Sequence, residues 1–493
     1  MKKRIVWIAL AAIVLCTAAG LLWPKAQKIV PSEMLLAASE GLDDVSIQAQ
    51  LDVEKRELTV TQEMHLQNRT GQRLDAAVLR TWPNAFQSED TSPCTVDEGL
   101  YDSYYPDGFS RGALVVHQAQ VNGEAILHRY LDDAKTVLQL PVPGGWQAEA
   151  EIVIQLDYTV QIPCMAYRFG VWDDVWALGN AFVIPAVWED GAYRTDAYAP
   201  VGDPFVSDCM NYDVTVSVPK GYLCAGSGYP TVETADGRSS YHFASPAVRD
   251  FALVISDRFH TAQAVQDGVR IIAYALESSQ ARDMLKYAKK AFACYSDLFG
   301  DAPYPAYTIA QVSFPHDGAE YPQLSMIGSG PLAKGGRELE YAVAHEAAHQ
   351  WWYAAVGSDG YHQPWQDEAL CEFSLLAYAE RQHGAGERAD LERSRMESAL
   401  RVTVSQGVTP GAPLDAFTSW SEYELVTLHR GAACLCALDR TVDGGLTAFL
   451  RDYYTTYAFL RASRQDFEAL LAKSTGEDLT PLLRDYLDTH IRN

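Results

Sequence analysis

The 493-residue sequence predicts a multidomain α+β protein, with an N-terminal β-sandwich or saddle-like domain followed by a mainly helical one. Two patterns carry this prediction. From about residue 41 to 255, short segments of alternating polarity are punctuated by turn residues. From about residue 256 onward, apolar residues recur at mixed spacings of three and four, the period of helices buried on one face. The length itself calls for two to four domains, each able to bury a core.

Residues 1–4 are Met-Lys-Lys-Arg, and the nineteen residues Ile5 to Trp23 are largely apolar and uncharged. This is the pattern of a secretory signal peptide or a single membrane anchor. The apolar length and the absence of a polar end region favour an anchor over residues 1–23, although Thr17-Ala18-Ala19 would permit cleavage. Basic residues ahead of the segment keep the N-terminus inside. The expected location is therefore the cell membrane, single-pass, with the body outside the cytoplasm; the alternative is secretion after cleavage. Residues 24–40 read as a linker.

Within 41–255, Ser46 to Val53 and Ile152 to Tyr158 alternate as half-buried strands do. Asn122-Gly123, Pro143-Gly144-Gly145 and Asp236-Gly237 mark turns between them. Within 256–493, Arg282 to Leu298 predicts a long amphipathic helix, and Tyr307 to Phe314 a strand. Arg337 to Ala355 predicts one helix, preceded by Gly335 and Gly336 and followed by Gly357. A second helix is expected from Trp365 to His383, with Pro364 at its first turn and Gly384 closing it. Helical stretches at 385–405, 429–439, 447–459, 464–472 and 480–491 complete the pattern.

A formal net charge of −25 argues against nucleic acid and anionic membrane surfaces as partners, and would concentrate cationic substrates. None of the nine cysteines forms a C-x-x-C pair. Outside the cytoplasm, Cys94, Cys164, Cys209 and Cys224 would be disulfide candidates. Cys371 reads as a buried thiol.

The chemistry concentrates in Ala344-His345-Glu346-Ala347-Ala348-His349. On a helix, H-E-x-x-H sets two imidazoles one turn apart on one face, where both can bind a single metal ion. Glu346 is placed to act on a metal-bound water. A catalytic zinc keeps three protein ligands and one open position, so a third ligand is required. Glu368 supplies it, with eighteen residues between it and His349. Glu372, four residues further on, shares the face of Glu368 and is the candidate to receive an outer imidazole N–H. Its plainer reading is a solvated helix carboxylate.

These residues resemble the zinc signature of the M1 aminopeptidases, a gluzincin family, through H-E-x-x-H, eighteen residues and Glu. The match extends to His349-Gln350-Trp351 and to Trp365-Gln366-Asp367-Glu368. The resemblance implies a thermolysin-like catalytic domain and one zinc ion held by His345, His349 and Glu368, with Glu346 as general base. It also implies peptide substrates with a free N-terminus. Asp317-Gly318-Ala319-Glu320-Tyr321-Pro322 is similar to the family's substrate-binding motif, with Asp317 and Ala319 at two altered positions. By that likeness Glu320 would bind the substrate's α-amino group. Arg430-Gly431-Ala432 aligns with the end of a motif whose tyrosine stabilises the oxyanion, and this places Leu428 where that tyrosine is expected. Tyr423, five residues earlier, is the candidate replacement, and His429 a weaker one. The large C-terminal helical domain of many members has no counterpart in this length, so an open site is expected. Two other function classes stay open. One is a catalytically weak or retired peptide-binding protein, suggested by Leu428. The other is an endopeptidase or epoxide hydrolase on the same scaffold.

Overall fold

A computed structural model of the chain describes residues 30–489, apart from residues 96 and 98. The N-terminal part is built on an eight-stranded sheet whose central pair is Asp44–Asp52 and Glu57–Gln67. Asp44–Asp52 alternates exposed and buried residues along its length, so Val45, Ile47, Ala49 and Leu51 all face the core. It pairs antiparallel with Glu57–Gln67 and parallel with Met210–Pro219, a strand reached only after one small four-stranded sheet is complete and two strands of another, Phe169–Trp172 and Val175–Leu178, are laid down.

A five-stranded sheet opens the second part, in the spatial order His260–Gln266, Val269–Ala275, Ala306–Gln311, Leu324–Ile327, Gly318–Tyr321. The Ser278–Phe299 helix connects two of its parallel strands and packs on it. Gly318–Tyr321 forms the edge, antiparallel to Leu324–Ile327, and carries Glu320 to the neighbourhood of the Gly336–Ala348 helix. The Trp365–His383 helix has the predicted bounds, and Gly384 at φ 93° ends it in a conformation that glycine adopts freely.

Several expectations are corrected. The predicted linker 24–40 contains a helix, Glu33–Ser39, capped by the Ser32 hydroxyl and anchored by the buried Leu35. The helix expected over 337–355 stops at Ala348, and the chain turns through Tyr353 at φ 111°. This turn buries both indoles completely: Trp351 Nε1 donates to the Gly300 carbonyl, and Trp352 Nε1 to Ser374 Oγ. Segments 392–397 and 424–430 are π-helical. Cys94, Cys164, Cys209 and Cys224 are free thiols.

The cell-membrane location is also withdrawn. The predicted anchor, 1–23, lies outside the described residues, and among the described residues no helix is long and apolar enough to cross a membrane. The 22-residue helix Ser278–Phe299 is amphipathic, with Arg282, Asp283, Lys286 and Lys289 along it.

Candidate metal centre

Two helices build the site. His345 projects from the last turn of Gly336–Ala348, and His349 caps that helix; Glu368 sits in the first turn of Trp365–His383, packed alongside. The two Nε2 atoms are 3.2 Å apart. Oε2 of Glu368 lies 3.3 Å from His345 Nε2 and 3.8 Å from His349 Nε2. A tetrahedral zinc bonded at ~2.0–2.1 Å separates its ligand atoms by about 3.3 Å, so two of the three separations match and the third, 3.8 Å, is about half an ångström long. The set fits zinc in geometry and in donor type.

Each imidazole is oriented from its other nitrogen. His349 Nδ1 meets Asp367 Oδ1 at 2.6 Å, and His345 Nδ1 lies 3.3 Å from Glu372 Oε2. Glu372 is buried and takes Arg395 Nη1 on its second oxygen at 2.8 Å. The solvated reading of Glu372 therefore does not hold. A second donor group, His349, Asp367 and Cys371, also lies within 4.8 Å, but Asp367 already occupies the Nδ1 side of that ring.

Glu346 is 5% exposed, brings an oxygen within 4.8 Å of both imidazoles, and leaves its Oε2 without a partner among the described residues. Gly318 backs it. A Cβ at that position would collide with the Glu346 carboxylate, so only glycine lets the edge strand come this close. Glu320, two residues along, is likewise buried. Tyr423 is fully enclosed, and its hydroxyl donates to Glu368 Oε1 at 3.2 Å. Leu428 instead packs with Tyr423, Val426 and Phe417 in a small apolar cluster. His429 Nε2 stands 3.8 Å from Glu372 Oε1.

Burial governs the electrostatics. It pushes the Glu346 carboxyl up to about 8 and the Glu320 carboxyl up to about 7, with the two histidines opposing the first and His349 and Arg168 opposing the second. Burial acts the same way on Glu368 and Glu372, but both are held below the usual carboxylate range, Glu368 by hydrogen bonding to His345 and Glu372 by Arg395. Burial also keeps the Tyr423 hydroxyl protonated, as a donor.

The sequence-predicted residues His345, Glu346, His349, Glu368, Glu320, Tyr423 and Glu372 thus converge on one region. Sequence reasoning missed Asp367, whose signal was its place beside Glu368, and Arg395, which gave none.

Solved structures show the same architecture. The M1 zinc metallopeptidase of Deinococcus radiodurans superposes with a TM-score of 0.64 at 18% identity, covering 92% of this chain and 94% of that one. The fold is that of the M1 zinc metallopeptidases. Legionella pneumophila aminopeptidase A gives 0.64 at 14% identity, over 90% of this chain and 49% of its own. Yeast LTA4 hydrolase gives 0.64 at 14%, over 90% of this chain and 67% of its own. In sequence, Aminopeptidase M1-B of Oryza sativa subsp. japonica is 22% identical over 300 residues, covering 55% of this chain. The chain spans about a third of that curated relative's length, 33%. No family model matches the chain.

Proposed function

We propose that the chain is a zinc metallopeptidase of M1 type, with a thermolysin-like catalytic half from about residue 256, that removes single residues from peptide N-termini. The spacing of His345, His349 and Glu368 at the edges of one tetrahedron carries the reading. Zinc held by these three residues would supply Lewis acidity and an activated water. The protein's own groups do the rest. Glu346, whose Oε2 has no partner among the described residues, accepts the proton from the attacking water and returns it to the leaving amine. Glu320 receives the substrate's α-ammonium in a charge-assisted hydrogen bond, which fixes the distance from chain end to scissile bond. Tyr423 offers its hydroxyl to the oxygen that gains charge in the transition state. The likeness to enzymes such as Legionella aminopeptidase A, and a Deinococcus metallopeptidase structure with bound Tyr-Ser-Ala, supports a peptide as substrate.

Metal analysis combined with mass spectrometry of a peptide library tests this. One zinc per chain and N-terminal ladders are expected from the wild type, and a Glu346→Gln control should keep the zinc and yield no ladders. Bound zinc with no cleavage would favour a retired peptide binder, and internal cuts an endopeptidase.

A further inference from the structure

Resting on that zinc reading, we infer that Arg395 is a positioning residue for His345, acting through Glu372, and that it sets how tightly the site holds its metal. The carboxylate of Glu372 is divided between two partners. Oε1 accepts from Arg395 Nη1 at 2.8 Å, while Oε2 lies 3.3 Å from His345 Nδ1. With one oxygen committed to the guanidinium, the other has a single direction left to it, toward the imidazole. His429 Nε2 stands 3.8 Å from Glu372 Oε1, beyond hydrogen-bond reach.

The two imidazoles are therefore oriented by different means. Asp367 meets His349 at 2.6 Å and has no arginine or lysine ion pair among the described residues. Glu372 is held from behind by Arg395. A buried carboxylate deprived of its cation would rotate toward other donors, and that rotation releases His345 from its present orientation.

The backbone around Arg395 is itself fixed. Arg395 belongs to the π-helical turn Glu392–Glu397, a departure from α geometry that recurs at functional sites. Arg430, at the end of the second π-helical turn, donates from Nε to the Ala399 carbonyl at 3.0 Å and from Nη2 to the Val402 carbonyl. Arg440 pairs with Glu392 at the other end. Two arginines, Arg430 and Arg440, thus pin the segment that delivers Arg395.

The test measures zinc affinity of the full chain by competition with a chelator, beside the melting temperature of the metal-free protein and separate kcat and KM values. Arg395→Gln should weaken zinc binding about tenfold or more, as loss of outer partners of metal-ligating histidines does, with KM little changed. Arg395→Lys should restore most of the affinity. In a Glu372→Gln background, Arg395→Gln should cost nothing further. Wild-type zinc affinity in Arg395→Gln overturns the inference whatever happens to the melting temperature, and so does a full, undiminished loss in the Glu372→Gln background. Should the glutamine variant not fold, Arg395→Met takes its place. A wild-type chain that binds no zinc sinks the metallopeptidase reading instead.

Discussion

The Tyr423 hydroxyl rests on Glu368 Oε1, 3.2 Å away, although the residue at the position aligned with the family's tyrosine is Leu428. A π-helical turn follows Tyr423 directly and changes the register between it and Arg430-Gly431-Ala432. A phenol therefore reaches the candidate metal centre from five residues upstream, while Leu428 turns into apolar packing.

Replacing that phenol by phenylalanine keeps the ring, which packs edge-on against Phe417 and Trp420. Zinc content and folding should be retained in Tyr423→Phe, while kcat falls about 100- to 1000-fold, the usual consequence of losing an oxyanion donor. A fluorogenic aminoacyl substrate measures this. A kcat within threefold of wild type would reduce Tyr423 to a support for Glu368.

Glu320 sits buried on the edge strand with no arginine or lysine ion pair among the described residues, so a substrate ammonium is its natural complement. A hydrogen bond to a charged group is worth ~1.5–3 kcal/mol. Glu320→Gln should lower kcat/KM for N-terminal trimming by about 10- to 150-fold. Acetylating the peptide N-terminus should cost wild type a similar factor and cost the variant almost nothing. Equal penalties in both proteins would remove Glu320 from amine recognition.

Asp250 gives a pH signature that does not involve the candidate metal ligands. Its carboxylate is buried, accepts from Asn180 Nδ2 and from the Phe251 N–H, and burial pushes it up to about 7 from an ordinary 3.8. The folded state then binds the extra proton between roughly pH 4 and 7. The associated stability is complete below the lower value and is lost as pH rises through the upper one, on the order of a few kcal/mol. Melting temperature should fall by several degrees more between pH 5 and 8 in wild type than in Asp250→Asn. Parallel pH curves for the two proteins would contradict this.

Arg249 is buried, and its guanidinium donates to the carbonyls of Ser207, Tyr353, Ala355 and Leu460. Gly357 lies against it so closely that a Cβ would intrude on the guanidinium. Arg249→Met leaves these buried acceptors short of a donor and should destabilise by on the order of 3 kcal/mol or more. Gly357→Ala should act on the same clasp, so the double variant should lose clearly less than the sum. Chemical denaturation measures all three; strict additivity would show that the glycine and the arginine act separately.

The candidate metal centre was legible because its determinants are local. His345 and His349 lie one turn apart, and Glu368 enters at the start of a helix whose limits Pro364 and Gly384 announce. The alternation of strands such as Asp44–Asp52 likewise reports burial on one face. What escaped depends on contacts between distant segments. The helix carrying His345 ends at Ala348 rather than Ala355, and beyond it Trp351 and Trp352 find partners on separate elements, which no periodicity discloses. Arg395 meets Glu372 only through a π-helical turn 23 residues away. Unpaired thiols at Cys94, Cys164, Cys209 and Cys224 show that cysteine count alone does not specify bridges.

Every residue proposed to touch metal or peptide, from Glu320 to Tyr423, belongs to the later half of the chain, yet the loop leaving His349 is tied down by Arg249 from the earlier half. The two halves therefore divide the labour, one supplying reagents and the other supplying tension. A proteolytic cut that freed the β-rich half would leave the full complement of ligands in one fragment and deprive it of the fastening that keeps them convergent.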